Sequence, residues 1–187
     1  MAEHHVEKQY SVFQIAMNLT AACFISGIII AIVYFITNPI AVKNSKALEV
    51  KSMQKLISDA DKFEKIQGKE GWYTAKSGGK TVGYIIPVET KGYGGAIKML
   101  VAVTEDDKVI DYNIQSANET PGLGDNAAKE PFRKEFKGKK SEDLEVVKDP
   151  SNTKNIQAMT GATISSRAVT KGVKEALDDV KSLKGGK

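Results

Sequence analysis

No charged residue falls between Lys8 and Lys43, and inside that window Phe13 to Ile36 is mostly apolar around the stretch ACFISGIIIAIVYFI. As a helix those residues extend about 36 Å, against a hydrocarbon core of about 30 Å. Segment 13–38 therefore reads as one transmembrane helix, with residues 1–12 as an N-terminal tail. Tyr34 and Asn38-Pro39 suit an exit at the membrane interface. The run is longer than the roughly 7–15 apolar residues of a cleaved leader, and no small-x-small site follows it. The apolar stretch lies mainly after Cys23, which excludes a lipoprotein anchor and leaves Cys23 as a lipid- or helix-facing residue. Lys43, Lys46, Lys51 and Lys55 follow the span and only Lys8 precedes it, so the local lysine balance places the following domain in the cytoplasm.

Everything from residue 44 onward has to fold in water, and it is rich enough in apolar residues to do so. The whole chain is 41% hydrophobic and 27% charged. Its net charge of +4 is scattered, with no basic stripe interleaved with aromatics, so nucleic acid is not among the expected partners. One cysteine excludes disulfides and cysteine-rich metal sites within the chain. His4 and His5 are adjacent in the tail and too few to close a metal site.

Hydrophobic spacing then divides the soluble part. Leu48, Met53, Leu56, Ile57, Ala60 and Phe63 recur at three to four residues, which predicts a linking helix over about 44–68. GWYTA (71–75), TVGYIIPV (81–88), AIKMLVAV (96–103) and VIDYNIQSA (109–117) read as strands, with KSGGK (76–80) as a hairpin turn through Gly78 and Gly79. Pro87 marks an edge or a bulge, and Trp72 is read as core. Four strands joined by short turns argue for an α+β domain with a mainly antiparallel sheet flanked by helices. A short helix is expected within 125–140, where Phe132 and Phe136 share a face. A final helix is expected from about Ser166 to Leu183, buried along Val169, Val173, Ala176, Leu177 and Val180.

Three glycine-dense stretches do not belong to those elements. TGATISS (160–166) stands just before the last helix and carries hydroxyls without any ionisable group. The first turn of a helix offers unpaired N–H groups and positive partial charge, so this stretch suits an anion. It equally suits a plain helix cap with redundant serines. ANETPGLGDNA (117–127) puts Leu123 between two glycines, either as a packed loop tip or as a platform for a flat ligand. KGYGGAI (91–97) is a third place where backbone can approach a ligand closely.

Taken together, GYGG, ETPGLG and TGAT, in that order after one span, resemble the FMN-binding domain of the G subunit of the Rnf complex. That complex is an ion-translocating ferredoxin:NAD oxidoreductase, and the C subunit of the sodium-pumping NADH:quinone reductase shares the domain. The absence of a tryptophan near the glycine-rich wall favours the Rnf protein. The resemblance implies an FMN-binding domain over 44–187 and FMN bound covalently, through a phosphoester to Thr163, by a flavin transferase that uses FAD. Thr160, Gly161, Ala162, Ile164 and Ser165 would then line the phosphate and the transferase recognition site. Glu119, Thr120, Gly122 and Leu123 would border the isoalloxazine ring, with Gly94 and Gly95 in the opposite wall. It also implies a domain on the outer side of the cytoplasmic membrane, against the lysine balance. Other polytopic and peripheral subunits, and membrane lipid, are the implied partners, and the coupled ion is Na+ or H+.

No catalytic triad or metal cluster is legible, so the implied role is an electron-carrying subunit rather than a complete enzyme. Two rivals stay open from the sequence. One is a flavin carrier for another membrane reductase or an extracellular electron-transfer chain. The other is a membrane-anchored binding module without a cofactor.

Overall fold

The computed structural model describes the backbone of residues 11–185 and the side chains of 11–41 and 48–185. His4, His5 and Lys8 lie outside the described residues. Helix α1 (Val12–Leu56) is followed by five strands: β1 (Lys62–Lys65), β2 (Tyr73–Ser77), β3 (Lys80–Lys91), β4 (Ala96–Val103) and β5 (Val109–Ser116). A 3-10 turn at Gly124–Ala128, a short helix α2 (Glu130–Lys134) and two two-residue strands, β6 (Val146–Val147) and β7 (Ile156–Gln157), come next. Helix α3 (Thr163–Gly185) ends the described chain.

Up to Glu49 the chain forms one unit and from Val50 onward another. In the first, Val12–Ala41 is a 30-residue apolar helical segment whose most apolar 18-residue window has a mean hydropathy of 2.5, long enough to cross a membrane. The helix runs on past Asn38-Pro39, the expected exit point of the span. It passes through Pro39, and the helix-forming residues after it carry the coil to Leu56.

The linking helix predicted over 44–68 is therefore shorter and belongs to a longer element. Past Leu56 the chain turns at Ser58-Asp59, and Phe63 reappears on strand β1. The reason is visible at Asp61, whose carboxylate accepts the Gly78 N–H at 2.9 Å and whose own N–H reaches the Lys76 carbonyl at 2.8 Å. These bonds favour strand pairing, and Phe63 still packs beside Met53, Leu56 and Ile57. Leu48 shares their spacing but is exposed.

The second unit is an antiparallel meander in the order β1-β2-β3-β4-β5; the four predicted strands are β2 to β5, and β1 is a fifth that the sequence pattern did not show. Gly78 and Gly79 have φ of +56° and +82°, which suits the tight two-residue turn joining Ser77 to Lys80. Strand β4 is buried on both faces because each face has its own cover. Met99, Val101 and Val103 face one core with Val169, Val173, Ala176, Leu177 and Val180 of α3. Leu100 and Ala102 face the other with Met53, Leu56 and Ile57. That double burial is why AIKMLVAV is almost continuously apolar. Pro87 lies beyond the last β2–β3 pair, Tyr73↔Ile85, where β3 has lost one neighbour. Trp72, read as core, is half-buried and packs against the core on the α3 side, with the Lys69 ammonium 4.8 Å from its ring centre.

The helix expected within 125–140 is broken into the 3-10 turn and α2, with Pro131 inside the first turn of α2. Phe132 and Phe136 still meet edge-on at 5.2 Å, and Phe136 meets Tyr112 at 5.1 Å. The Tyr112 hydroxyl donates to the Ala127 carbonyl at 2.5 Å, and its buried ring pushes the phenol well above its ordinary range. Arg133 pairs with buried Asp111, Nε to Oδ1 at 3.1 Å. These contacts tie segment 124–136 to β5.

The register decides where the functional loops go. Lys91 pairs with Ala96 and Lys98 with Ser116. The β3–β4 turn (92–95) and the exit of β5 (117 onward) therefore emerge at one end of the sheet. The start of α3 joins them there.

Candidate functional site

Helix α3 begins at Thr163, three residues before the predicted start. Its first internal bond is the Ser166 N–H to the Ala162 carbonyl at 3.0 Å, which makes Ala162 the N-cap. Alanine supplies no side-chain oxygen, although Ser or Asp there would stabilise the helix by about 0.5–2 kcal/mol. The N–H groups of Thr163, Ile164 and Ser165 are left without partners among the described residues. The serines of TGATISS are not redundant caps.

Each hydroxyl has a separate place. Ser166, fully buried, donates to the Ala162 carbonyl at 2.9 Å and accepts the Met159 N–H at 3.0 Å, folding the TGA turn onto the helix. Ser165, also buried, donates to a carboxylate oxygen of Glu119. Thr160 is exposed and has no hydrogen-bond partner among the described residues, but it lines a neighbouring groove with Phe132 and Met159. Thr163 is half-buried, has no partner for its hydroxyl among the described residues, and faces a cleft.

That cleft has a volume of about 540 Å³, within the roughly 300–1,000 Å³ of small-molecule sites. Its floor is Gly161, Ala162, Thr163, Ile164 and Ser165. Thr120, Leu123 and Gly124 come from the second loop, and Tyr93 from the β3–β4 turn. Lys148, just after β6, is the one cation among its lining residues. Gly161 has φ of +73°, a conformation that favours glycine, and a Cβ there would stand 3.1 Å from Leu123 Cδ2.

The cleft's apolar lining is unusual for this domain. After α1, the large hydrophobic residues left exposed among the described ones are Tyr93 (70%), Leu123 (42%) and Ile164 (54%), and all three line the cleft. An apolar surface gathered around unpaired amides and one free hydroxyl fits a ligand that is flat and apolar at one end and anionic at the other.

Of the predicted site residues, the fold brings Thr120, Leu123, Gly161, Ala162, Thr163, Ile164 and Ser165 to the cleft. Glu119 and Gly94 stand behind the wall, joined by the Gly94 N–H donated to the Glu119 carboxylate at 3.0 Å. Gly95 shapes the turn through its carbonyl, which accepts the Gly92 N–H at 2.7 Å. Gly122, with φ of +77°, bends the second loop, and its carbonyl accepts from the Asn126 amide at 2.8 Å. Tyr93, Gly124 and Lys148 were missed. Tyr93 was legible as a large ring between glycines; Lys148 lies 15 residues before Thr163, and no local pattern marks it.

The FMN-binding domain family matches residues 92–178, a range that contains every residue lining the cleft. The chain is 61% identical over 179 residues to the G subunit of the proton-translocating ferredoxin:NAD(+) oxidoreductase complex of Clostridium ljungdahlii, covering 96% of this chain and 97% of that protein. It is 35% identical over 142 residues to the G subunit of the Na(+)-translocating ferredoxin:NAD(+) oxidoreductase complex of Acetobacterium woodii, covering 74% and 68%. A solved structure of the C subunit of the Na(+)-translocating NADH-quinone reductase of Parabacteroides distasonis is 26% identical, with a TM-score of 0.48 over 57% of this chain and 58% of that one.

Proposed function

The chain belongs to the G-subunit family of ion-translocating ferredoxin:NAD(+) oxidoreductase complexes, the Rnf complexes, and on that footing we propose that it carries electrons on an FMN joined covalently to Thr163. The observation that carries this reading is the state of the Thr163 hydroxyl. It is the hydroxyl in TGATISS that both lines the cleft and has no partner among the described residues. Bound there, FMN supplies reversible one- and two-electron chemistry that no side chain of this protein has.

The chain's own residues have defined tasks in this reading. Thr163 would supply the ester oxygen that holds the FMN phosphate; with FAD as donor, that oxygen would replace AMP on the phosphorus and give up its proton. The unpaired amides at residues 163–165 and the positive end of α3 hold the phosphodiester charge. Lys148 adds the one side-chain cation. Tyr93, Leu123 and Ile164 cover the apolar ring and lose their exposure to water. Burying about 100 Å² of apolar surface in this way is worth roughly 2.5 kcal/mol.

The membrane helix places this carrier beside polytopic partners. Segment 12–41 contains no Asp, Glu, Lys or Arg, so the ion path is assigned to other subunits of the complex. In this reading the domain lies on the outer face of the cytoplasmic membrane, as the family resemblance implies; the flanking lysines do not oppose it, since a long folded domain is translocated largely regardless of them.

The test is co-expression with a flavin transferase, followed by a denaturing gel. A fluorescent band at the mass of the chain is expected for the wild type and for Thr160→Ala, and none for Thr163→Ala. A fluorescent Thr163→Ala band, or a dark wild type, sinks the assignment.

A further inference from the structure

Glu119 does not line the cleft, yet from its own loop it bonds to the β3–β4 turn and to the start of α3, the other two glycine-rich segments that build it. Its carboxylate accepts the Tyr93 N–H at 3.3 Å, the Gly94 N–H at 3.0 Å and the Ser165 hydroxyl. Those partners lie 26, 25 and 46 residues away in sequence. We propose that Glu119 is a positioning residue for cofactor attachment: one carboxylate assembles the cleft from its three segments before the cofactor arrives, and so fixes where Thr163 stands. The proposal rests on the reading of Thr163 as the attachment point.

Two features show that the backbone is built around this group. The first concerns glycines whose φ is not in the left-handed region. A Cβ on Gly92 would lie 2.3 Å from Glu119 Oε1, and one on Gly124 would lie 2.7 Å from Oε2. On Gly94 it would lie 1.8 Å from the carbonyl oxygen of neighbouring Asn118. These positions are glycine because residues 118–119 fill the space, not because the turn demands a special angle.

The second feature is that apolar packing holds these segments at their bases and not at their tips. Ile97 and Ala127 are buried in one core with Ala168 and Val169 of α3, while Tyr93, Leu123 and Ile164 are exposed. A polar link is left to hold the walls, and all three partners of Glu119 are donors. A carboxylate is acceptor-only, with about four lone-pair sites, and it satisfies three donors at once. A glutamine of the same size would set its NH₂ against one of them. Ser165 is the third residue of α3 and Thr163 the first, so a hold on Ser165 fixes the helix start against both loops.

The experiment uses the full chain in detergent, a purified flavin transferase and FAD. Attachment rates are measured for wild type, Glu119→Gln, Ser165→Ala and the double variant. Amide hydrogen exchange is measured on the same proteins before flavin is added. Glu119→Gln is expected to slow attachment about 10–100-fold. Exchange should quicken at Tyr93 and Gly94 while core amides such as Val101 stay protected, which general destabilisation would not produce. The double variant should be no slower than Glu119→Gln, because both changes cut one link.

Attachment of Glu119→Gln at the wild-type rate, unchanged exchange at Tyr93 and Gly94, or effects that multiply in the double variant would overturn the proposal. Should Glu119→Gln not fold, Ser165→Ala decides alone: slower attachment supports the clamp and an unchanged rate refutes it. A wild type that takes no flavin refutes the attachment point instead, and the exchange arm still judges the clamp.

Discussion

Two hydroxyls three residues apart should separate stability from function. Ser166 is fully buried and makes two hydrogen bonds, to the Ala162 carbonyl at 2.9 Å and from the Met159 N–H at 3.0 Å. At about 0.5–1.5 kcal/mol each, Ser166→Ala should cost about 1–3 kcal/mol. The Ala162 carbonyl keeps its bond from the Ser166 N–H, which holds the loss to that range. Thr163 is half-buried and its hydroxyl has no partner among the described residues, so the isosteric Thr163→Val should stay within about 0.5 kcal/mol of wild type. Urea unfolding followed by Trp72, the single tryptophan, measures both. Flavin attachment is read on the same preparations. Ser166→Ala should be less stable yet still carry flavin under folding conditions; Thr163→Val should be as stable as wild type and bare. A Thr163→Val loss above about 1 kcal/mol, or a stable Ser166→Ala, would refute the division of roles among these hydroxyls.

Other outcomes follow from the same geometry. Lys148→Gln in a Thr163→Val background should weaken reversible FMN binding about 2–5-fold, since an exposed charge contributes about 0.5–1 kcal/mol; unchanged affinity in a titration by flavin fluorescence would remove Lys148 from the phosphate site. Arg133→Leu leaves buried Asp111 with Lys137 at 3.7 Å and the Tyr112 N–H at 2.8 Å. Urea unfolding should show a loss of about 2–3 kcal/mol, less than the roughly 3–5 for a fully orphaned buried charge. Hydrogen bonds from Lys76 and Lys62 hold the Glu64 carboxyl at about 2, down from 4.5. A depressed carboxyl stabilises the fold above its unfolded value and loses that contribution as pH falls through the folded one. Glu64→Gln should therefore flatten the acid limb of the stability curve between pH 4.5 and about 2, and an NMR titration midpoint near 4.5 in the wild type would contradict the pairing.

The strands were legible because the sheet announces itself locally. AIKMLVAV is apolar on both faces of β4, and Gly78-Gly79 supplies the turn that starts β3. The linking helix was misread at its end because Leu56, Ile57, Ala60 and Phe63 bury the same way on a helix or on a turn and strand; the distant Gly78–Asp61 bond decides. The start of α3 was misplaced because Thr-Ile-Ser-Ser looks like a cap, while the actual N-cap is Ala162, a residue that local propensity disfavours there. At the site, the chemistry of TGATISS and the exposed Leu123 could be read in order along the chain. The part played by Glu119 could not, because it rests on bonds to Tyr93, Gly94 and Ser165 that exist only after the sheet register brings three loops to one end. Lys148 stands on a segment whose position depends on the β6–β7 pair, two residues long on each side.

The central claim is that Thr163 carries the cofactor, and peptide mass spectrometry of protein purified from its native host tests it most directly. The account predicts that the peptide containing residues 160–166 is heavier by the mass of FMN less one water, with fragmentation placing the addition on Thr163. A native peptide of unmodified mass, or an adduct on Thr160 or Ser165, would contradict it.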